Sequence, residues 1–157
     1  MIKEKGQTLL EAVIGLGVAI AVVSAIVVAI VSSLNNTQFS KNQNLANQYA
    51  QQGMEIVRKT RDASWPAFLA YNATYYCLAQ NSTSLIQRGV NGCGQNVGIF
   101  VREIDIEHNS GSCQDISSKV TSVVSWSDSK CTSTQNTYCH NVTLISCFAN
   151  NNAVPSP

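Results

Sequence analysis

Hydrophobic positions fall into three regimes along this chain. From Ala12 to Val31 no charged residue occurs, and branched apolar side chains such as Val13, Ile20, Val23, Val27 and Val31 fill much of the stretch. About 20 such residues at 1.5 Å rise each span roughly 30 Å as a helix, the thickness of a bilayer core. Beyond Val31 the apolar positions thin out but keep a spacing of three to four: Leu45, Tyr49, Gln52 and Ile56, with Met54 and Val57, leave Asn44, Gln48 and Gln51 mostly on the other side. The first proline is Pro66. The pattern therefore predicts one long helix from about Thr8 to about Asp62, apolar all round in its first half and amphipathic in its second. Arg58, Lys59 and Arg61 suit the negative pole at its end and read as a solvated cluster.

The third regime alternates. In "IFVREIDIEH" Phe100, Arg102, Ile104 and Ile106 point one way, and Val101, Glu103, Asp105 and Glu107 the other. Two further strands are expected over Lys119–Asp128 and His140–Ala149, with shorter ones at Tyr75, Tyr76 and Leu78 and over Ser84–Arg88 beside the turn signal "VNGCG". Trp65 and Phe68 are expected to pack beneath the connecting region between helix and strands. Strands joined in sequence make an antiparallel meander whose apolar face can cover the helix, which is an α+β layout. The tail "NNNAVPSP" is expected to be loose.

Composition narrows the function classes. Formal net charge is +1 and charged residues are 12% of the chain, so there is no dense basic face of the kind that grips nucleic acid. The apolar residues concentrate in the first fifth, and the remainder, rich in Asn, Ser, Thr and Gln, has a marginal core of its own. Six cysteines, Cys77, Cys93, Cys113, Cys131, Cys139 and Cys147, all lie in that remainder. None forms a C-x-x-C pair, and His108 and His140 do not reproduce a zinc spacing, so no metal site and no cofactor is expected. The cysteines read as three disulfides formed in an oxidising space. Cys77–Cys93 would close one loop and Cys131–Cys139 another, leaving Cys113 for Cys147, although sequence leaves the other pairings open. No nucleophile elbow, phosphate loop or dense Asp/Asn calcium loop occurs. His108, Asp105 and Glu107 fall at the end of an alternating strand, where solvated charges are ordinary. A non-enzymatic role is expected, with no catalytic residue.

Within the apolar segment, Gly17, Ala21, Ala25 and Ala29 recur every four positions and form a ridge that another helix can approach closely. Lys3 and Lys5 precede the segment, which keeps the start of the chain cytoplasmic and exports the cysteines. A cleaved secretory signal has a shorter apolar region and a small-residue cleavage site, and neither is present. The exception to the apolar rule is Glu11, a carboxylate whose charge is costly in lipid unless neutralised. "KEKG" followed by "QTLLE" resembles the class III signal of type IV pilins and pseudopilins.

That resemblance implies a specific organisation. A basic leader, residues 1–6, would be removed after Gly6 by a membrane-embedded prepilin peptidase that also methylates the new amine of Gln7. Residues 7–34 would be the hydrophobic membrane and filament-core helix, 35–62 its amphipathic continuation, and 63–157 the exported head. Thr8, Leu9, Leu10 and Glu11 match the family's T/S-L-[IL]-E stretch, while Gln7 stands where phenylalanine is commonest and the helix lacks the mid-helix proline of many major pilins. The new α-amine, with a reference pKa near 8, would meet the Glu11 of a neighbouring subunit. The implied partners are other pilin subunits, the peptidase, an inner-membrane assembly platform and, before assembly, membrane lipid. The implied location is a single-pass inner-membrane protein with its head outside, then a cell-surface filament. Minor pilin is the expected kind. The alternatives are a type II secretion pseudopilin and a non-polymerising, signal-anchored surface protein whose head binds a ligand.

Overall fold

The computed structural model describes the backbone of residues 4–72, 75–109, 113, 117–128, 130–131 and 137–150, with side chains from residue 9 onward within that set. Residues 1–3, the side chains of residues 4–8 and the tail 151–157, expected to be loose, lie outside the described residues. The chain falls into two compact units, Met1–Asn42 and Gln43–Pro157.

The first helix, α1, covers Glu4–Ala63. It begins before the expected Thr8 because nothing between Glu4 and Thr8 stops a helix; one glycine lowers propensity without breaking it. It ends where Ser64 turns extended (φ −162°, ψ 111°) and caps a short second helix, α2, Trp65–Leu69. The Ser64 hydroxyl accepts from the Ala67 N–H at 3.3 Å, and Pro66 sits in the first turn, where its missing N–H costs nothing. Sequence periodicity did not resolve this five-residue helix.

In the second unit, strands β1 (Tyr76–Cys77), β2 (Ile86–Gln87), β3 (Val101–His108), β4 (Ser117–Trp126) and β5 (His140–Ala149) form one sheet in the order β2-β1-β3-β4-β5. Every neighbouring pair is antiparallel. The register places Ile104 opposite Ser122 and Ser122 opposite Leu144, so the even-numbered residues of β3, β4 and β5 share one face. That face carries the core: Ile104, Ile106, Val120 and Phe148 pack with Met54 and Val57 of α1 and with Phe68 of α2. The fold is α+β, a long helix packed on an antiparallel, disulfide-stapled sheet.

The helix stripe against the sheet differs from the expected one. Ala46, Ala50, Gly53, Met54 and Val57 are buried, Leu45, Tyr49 and Ile56 are half-buried at its flanks, and Gln52 is exposed. The seam runs along small residues because α1 crosses the sheet at close range. A Cβ on Gly53 would lie 2.9 Å from Ser122 Oγ and 3.0 Å from Ile104 Cδ1. Only glycine leaves room for that approach.

Arg102 shares the apolar face as expected, but its role was not legible. The side chain is 2% exposed. Its guanidinium donates to three main-chain carbonyls, Leu78 O at 3.0 Å, Ala79 O at 2.9 Å and Tyr49 O at 3.2 Å. The first two carbonyls follow β1 and the third belongs to α1, so one side chain pins helix, loop and sheet together. Burial pulls its pKa below the usual arginine value, the direction expected where carbonyl dipoles rather than a carboxylate face a desolvated cation.

One further expectation holds and one shifts. Phe68 is fully buried in one core with Tyr76, Leu78 and Leu85 of the connecting region, with Trp65 packed against it, and it also meets His108 edge-on at 5.5 Å and Phe148 at 6.3 Å. The basic cluster is only partly solvated. Arg58 and Lys59 are exposed, but Arg61 is 12% exposed, with its guanidinium 5.0 Å from the Phe148 ring centre. Its stem and plane cover an aromatic that a short helix end leaves bare.

The cysteines pair as Cys77–Cys93, Cys113–Cys147 and Cys131–Cys139. Chain-entropy estimates run from about 2.5 kcal/mol for the shortest loop to about 4 kcal/mol for the longest. Cys113–Cys147, separated by 34 residues, is therefore the bridge whose loss destabilises the head most.

Candidate functional site: the exposed apolar helix

The first half of α1 is long and apolar enough to cross a membrane, with a mean hydropathy of 2.9 over its most apolar window. Fifteen large apolar side chains from Leu9 to Leu34 are exposed, Leu9 at 68% and Val31, the least, at 51%. Full burial of such side chains is worth about 1.5–3 kcal/mol each, so of order 20–45 kcal/mol of transfer free energy is uncollected on this surface. A soluble protein does not leave such a patch open; lipid or another protein surface must cover it.

The segment is built for that environment. Ser24 Oγ donates to Ile20 O at 2.8 Å, and Thr37 Oγ1 to Ser33 O at 2.9 Å, so both hydroxyls are satisfied within the helix. Gly17, Ala21, Ala25 and Ala29 are exposed along one i, i+4 row. A Cβ on Gly17 would meet no atom within 4 Å, so the space above the ridge is open.

Glu11 lies on the exposed helix one turn beyond Gln7, about 6 Å along the axis. Among the described residues no lysine, arginine or histidine forms an ion pair with it; the pairs present are Arg58–Glu55, Arg61–Asp62, Arg88–Glu103, Lys119–Glu107 and His140–Asp128. Over its described side chains from Leu9 to Leu34 the helix thus presents one carboxylate, a ridge of small residues and a continuous apolar surface. Chemically it can pack against like helices and accept a cation at Glu11. Gly6 and Gln7 fall in its opening turns, and their side-chain surroundings lie outside the described residues.

One serine–histidine contact in the head joins Ser118, a buried residue of β4, to His108 at the end of β3. His108 is structural: Nε2 lies 2.8 Å from Tyr71 O and Nδ1 2.6 Å from Ser118 Oγ. The carbonyl only accepts, so Nε2 carries a hydrogen, and a neutral ring takes the serine hydroxyl hydrogen at Nδ1. On the opposite sheet face, burial and then neighbouring Glu107 push the Asp105 carboxyl above its usual range. Lys119, which bridges Glu107 at 3.1 Å, acts in the opposite direction on Asp105.

One cluster was missed from sequence. Asp128, Cys131, Cys139 and His140 bring one donor atom each to within 4.8 Å of one another. The adjacency of Cys139 and His140 and the short spacing from Asp128 to Cys131 were the available signals. They do not match a zinc-finger spacing, and the antiparallel pairing of β4 with β5, which sets Trp126 opposite His140, draws the two ends together along with the Cys131–Cys139 bridge.

No family model, curated protein or solved structure matches this chain.

Proposed function

We propose that this chain is a structural subunit, of the minor-pilin kind, of a type IV pilus or related filament. Prepilin peptidase would cut it after Gly6, methylate Gln7 and release it to an inner-membrane assembly platform, where it would pack through residues 7–34. The observation that carries the reading is an exposed apolar helix bearing a carboxylate, Glu11, that has no ion-pair partner among the described residues and stands at a fixed distance from the "KEKG"–"QTLLE" junction. Before assembly, lipid covers the apolar surface and Glu11 sits near the headgroups. Cutting after Gly6 exposes an ammonium at Gln7. In the filament, the Gln7 ammonium of one subunit meets Glu11 of the next, and each offsets the desolvation of the other. A subunit entering out of register would leave both unpaired in an apolar surround, so the pair sets the axial step. The small-residue ridge lets the helices approach closely along that step. The disulfide-stapled head stays outside, where oxidising conditions keep its bridges closed.

The test is the intact mass of the membrane-associated protein from its native host. A filament subunit begins at Gln7 and is one methyl group heavier than the bare cleaved chain. A chain that retains Met1 is a signal-anchored surface protein, and the filament reading is then wrong.

A further inference from the structure

We infer that Asp128, Cys131, Cys139 and His140 form a latent zinc site at the β4–β5 end of the head, closed by the Cys131–Cys139 disulfide and opened when a dithiol reduces it. The inference does not depend on filament assembly. Two sulfurs, one imidazole and one carboxylate are a donor set suited to tetrahedral zinc. Zinc–sulfur distances of about 2.3 Å and zinc–nitrogen or zinc–oxygen distances of about 2.0–2.2 Å place donor atoms about 3.4–3.8 Å apart. The four donors already lie within 4.8 Å of one another. The two sulfurs must part once their bond is broken, and the widest pair must close by about 1 Å, both within the reach of side-chain rotation.

The surroundings hold the donors in place. Asp128 Oδ1 accepts from the Lys130 N–H at 2.8 Å, while its Oδ2 faces His140 Nε2 at 3.1 Å. The metal would enter between these last two atoms. The Asp128 N–H points at Cys131 Sγ at 3.4 Å, a donor that supports a thiolate ligand. The Cys131 N–H donates to Asp128 O at 3.1 Å, which fixes the turn carrying both residues. The His140 ring rests on Trp126, ring centres 5.3 Å apart, so its orientation is set by packing. All four residues are half-buried, accessible to an ion yet partly shielded from water.

The step balances. A thiolate of the dithiol attacks one cystine sulfur, the Cys131–Cys139 bond breaks, and a mixed disulfide forms. The second thiol of the reductant then displaces the remaining cysteine and closes its own disulfide. Two electrons pass from the dithiol to the cysteine pair, which takes up two protons. Zinc displaces those protons and forms two zinc–sulfur bonds, so a metal crosslink replaces the covalent one.

The probe is Co²⁺ added to the full chain in detergent, with and without prior reduction by a phosphine, which supplies the same two electrons without chelating the metal. The expected result is one Co²⁺ per reduced chain, with the charge-transfer absorption of a cobalt–thiolate bond, no such band before reduction, and its displacement by Zn²⁺. Cys131→Ser combined with Cys139→Ser abolishes the band, Cys77→Ser combined with Cys93→Ser retains it, and His140→Ala weakens binding at least tenfold. In the unmutated reduced chain, Zn²⁺ slows alkylation of Cys131 and Cys139 at least tenfold while leaving Cys77 and Cys93 unprotected. Absence of the thiolate band in the reduced chain, its survival in the Cys131→Ser, Cys139→Ser variant, or equal alkylation of all cysteines with and without zinc overturns the inference.

Discussion

Glu11→Val is expected to leave membrane insertion and the folded head intact and to cut filament incorporation by about two orders of magnitude. The substitution removes a carboxylate from an apolar helix, which makes insertion easier. No described residue of the same chain pairs with Glu11, so the substitution removes no ion pair among the described residues. In the proposed filament it would leave the neighbour's Gln7 ammonium without its counter-charge. A cationic amine left alone among packed apolar helices is penalised by about 2.5–3.5 kcal/mol on insertion-derived scales. At about 1.4 kcal/mol per tenfold, that corresponds to roughly a hundredfold loss in subunit affinity. Quantitative blotting of sheared surface filaments against the membrane fraction measures it. Glu11→Asp, which keeps the charge on a shorter arm, is expected to recover part of the yield. Undiminished incorporation of the valine variant would mean that the carboxylate plays no part in assembly.

Gly53→Leu is expected to unfold the head at temperatures where the unaltered chain is fully folded. The helix crosses the sheet so closely at Gly53 that even a Cβ there would lie 2.9 Å from Ser122 Oγ and 3.4 Å from Arg102 Cδ. Ser122 and Ile104 are fully buried, so a leucine side chain would meet close-packed neighbours with little free space to move into. Overpacking of this kind costs about 1–3 kcal/mol for added methylenes and more where the backbone must separate. Separation would also break the Arg102 bond to Tyr49 O that ties α1 to the sheet, which leaves a buried cation short of an acceptor. Gly53→Ala is the graded control. Its steric cost is partly offset by about 1 kcal/mol of improved helix propensity, so it is expected to lower the melting temperature by only a few degrees. Thermal melts of the oxidised protein followed by circular dichroism separate the two. A leucine variant that melts with the unaltered chain would show that α1 does not need this close crossing.

The contrast between Gly53 and the strands shows which features a sequence exposes. The alternation in "VREIDIEH" survives folding from Arg102 to Ile106, because a strand buried on one face has a period of two, while Val101 on the other face is buried as well. The bounds of β5, His140–Ala149, were legible for the same reason, while β4 begins at Ser117 rather than Lys119. The long helix was legible because neither proline nor a turn signal interrupts it. The helix stripe was read less well. Ala46, Ala50 and Gly53 carry the seam, yet small residues contribute little to a hydrophobic pattern, and bulkier Tyr49 and the polar Gln52 drew attention away from them. What small side chains offer is proximity, which depends on the opposing surface and is invisible along one chain. Arg102 is the same lesson in reverse: on an apolar face it looks like an error until Leu78, Ala79 and Tyr49 supply carbonyls from distant segments. The Asp128–Cys131–Cys139–His140 cluster is likewise a product of strand pairing. The apolar helix was fully legible, because a stretch long and apolar enough to cross a membrane is defined by local length and composition alone.

The most direct measurement is proximity between Gln7 and Glu11 of different subunits. Filaments grown from a mixture of unlabelled and uniformly ¹⁵N-labelled subunits, treated with a lipid-soluble carbodiimide, join amines to carboxylates that already touch. The account predicts an amide between the Gln7 nitrogen and the Glu11 carboxyl carrying one labelled and one unlabelled peptide, found in filaments and absent from unassembled membrane protein. A crosslink in which both peptides always share the same label, or filaments that yield no Gln7–Glu11 amide at all, would contradict it.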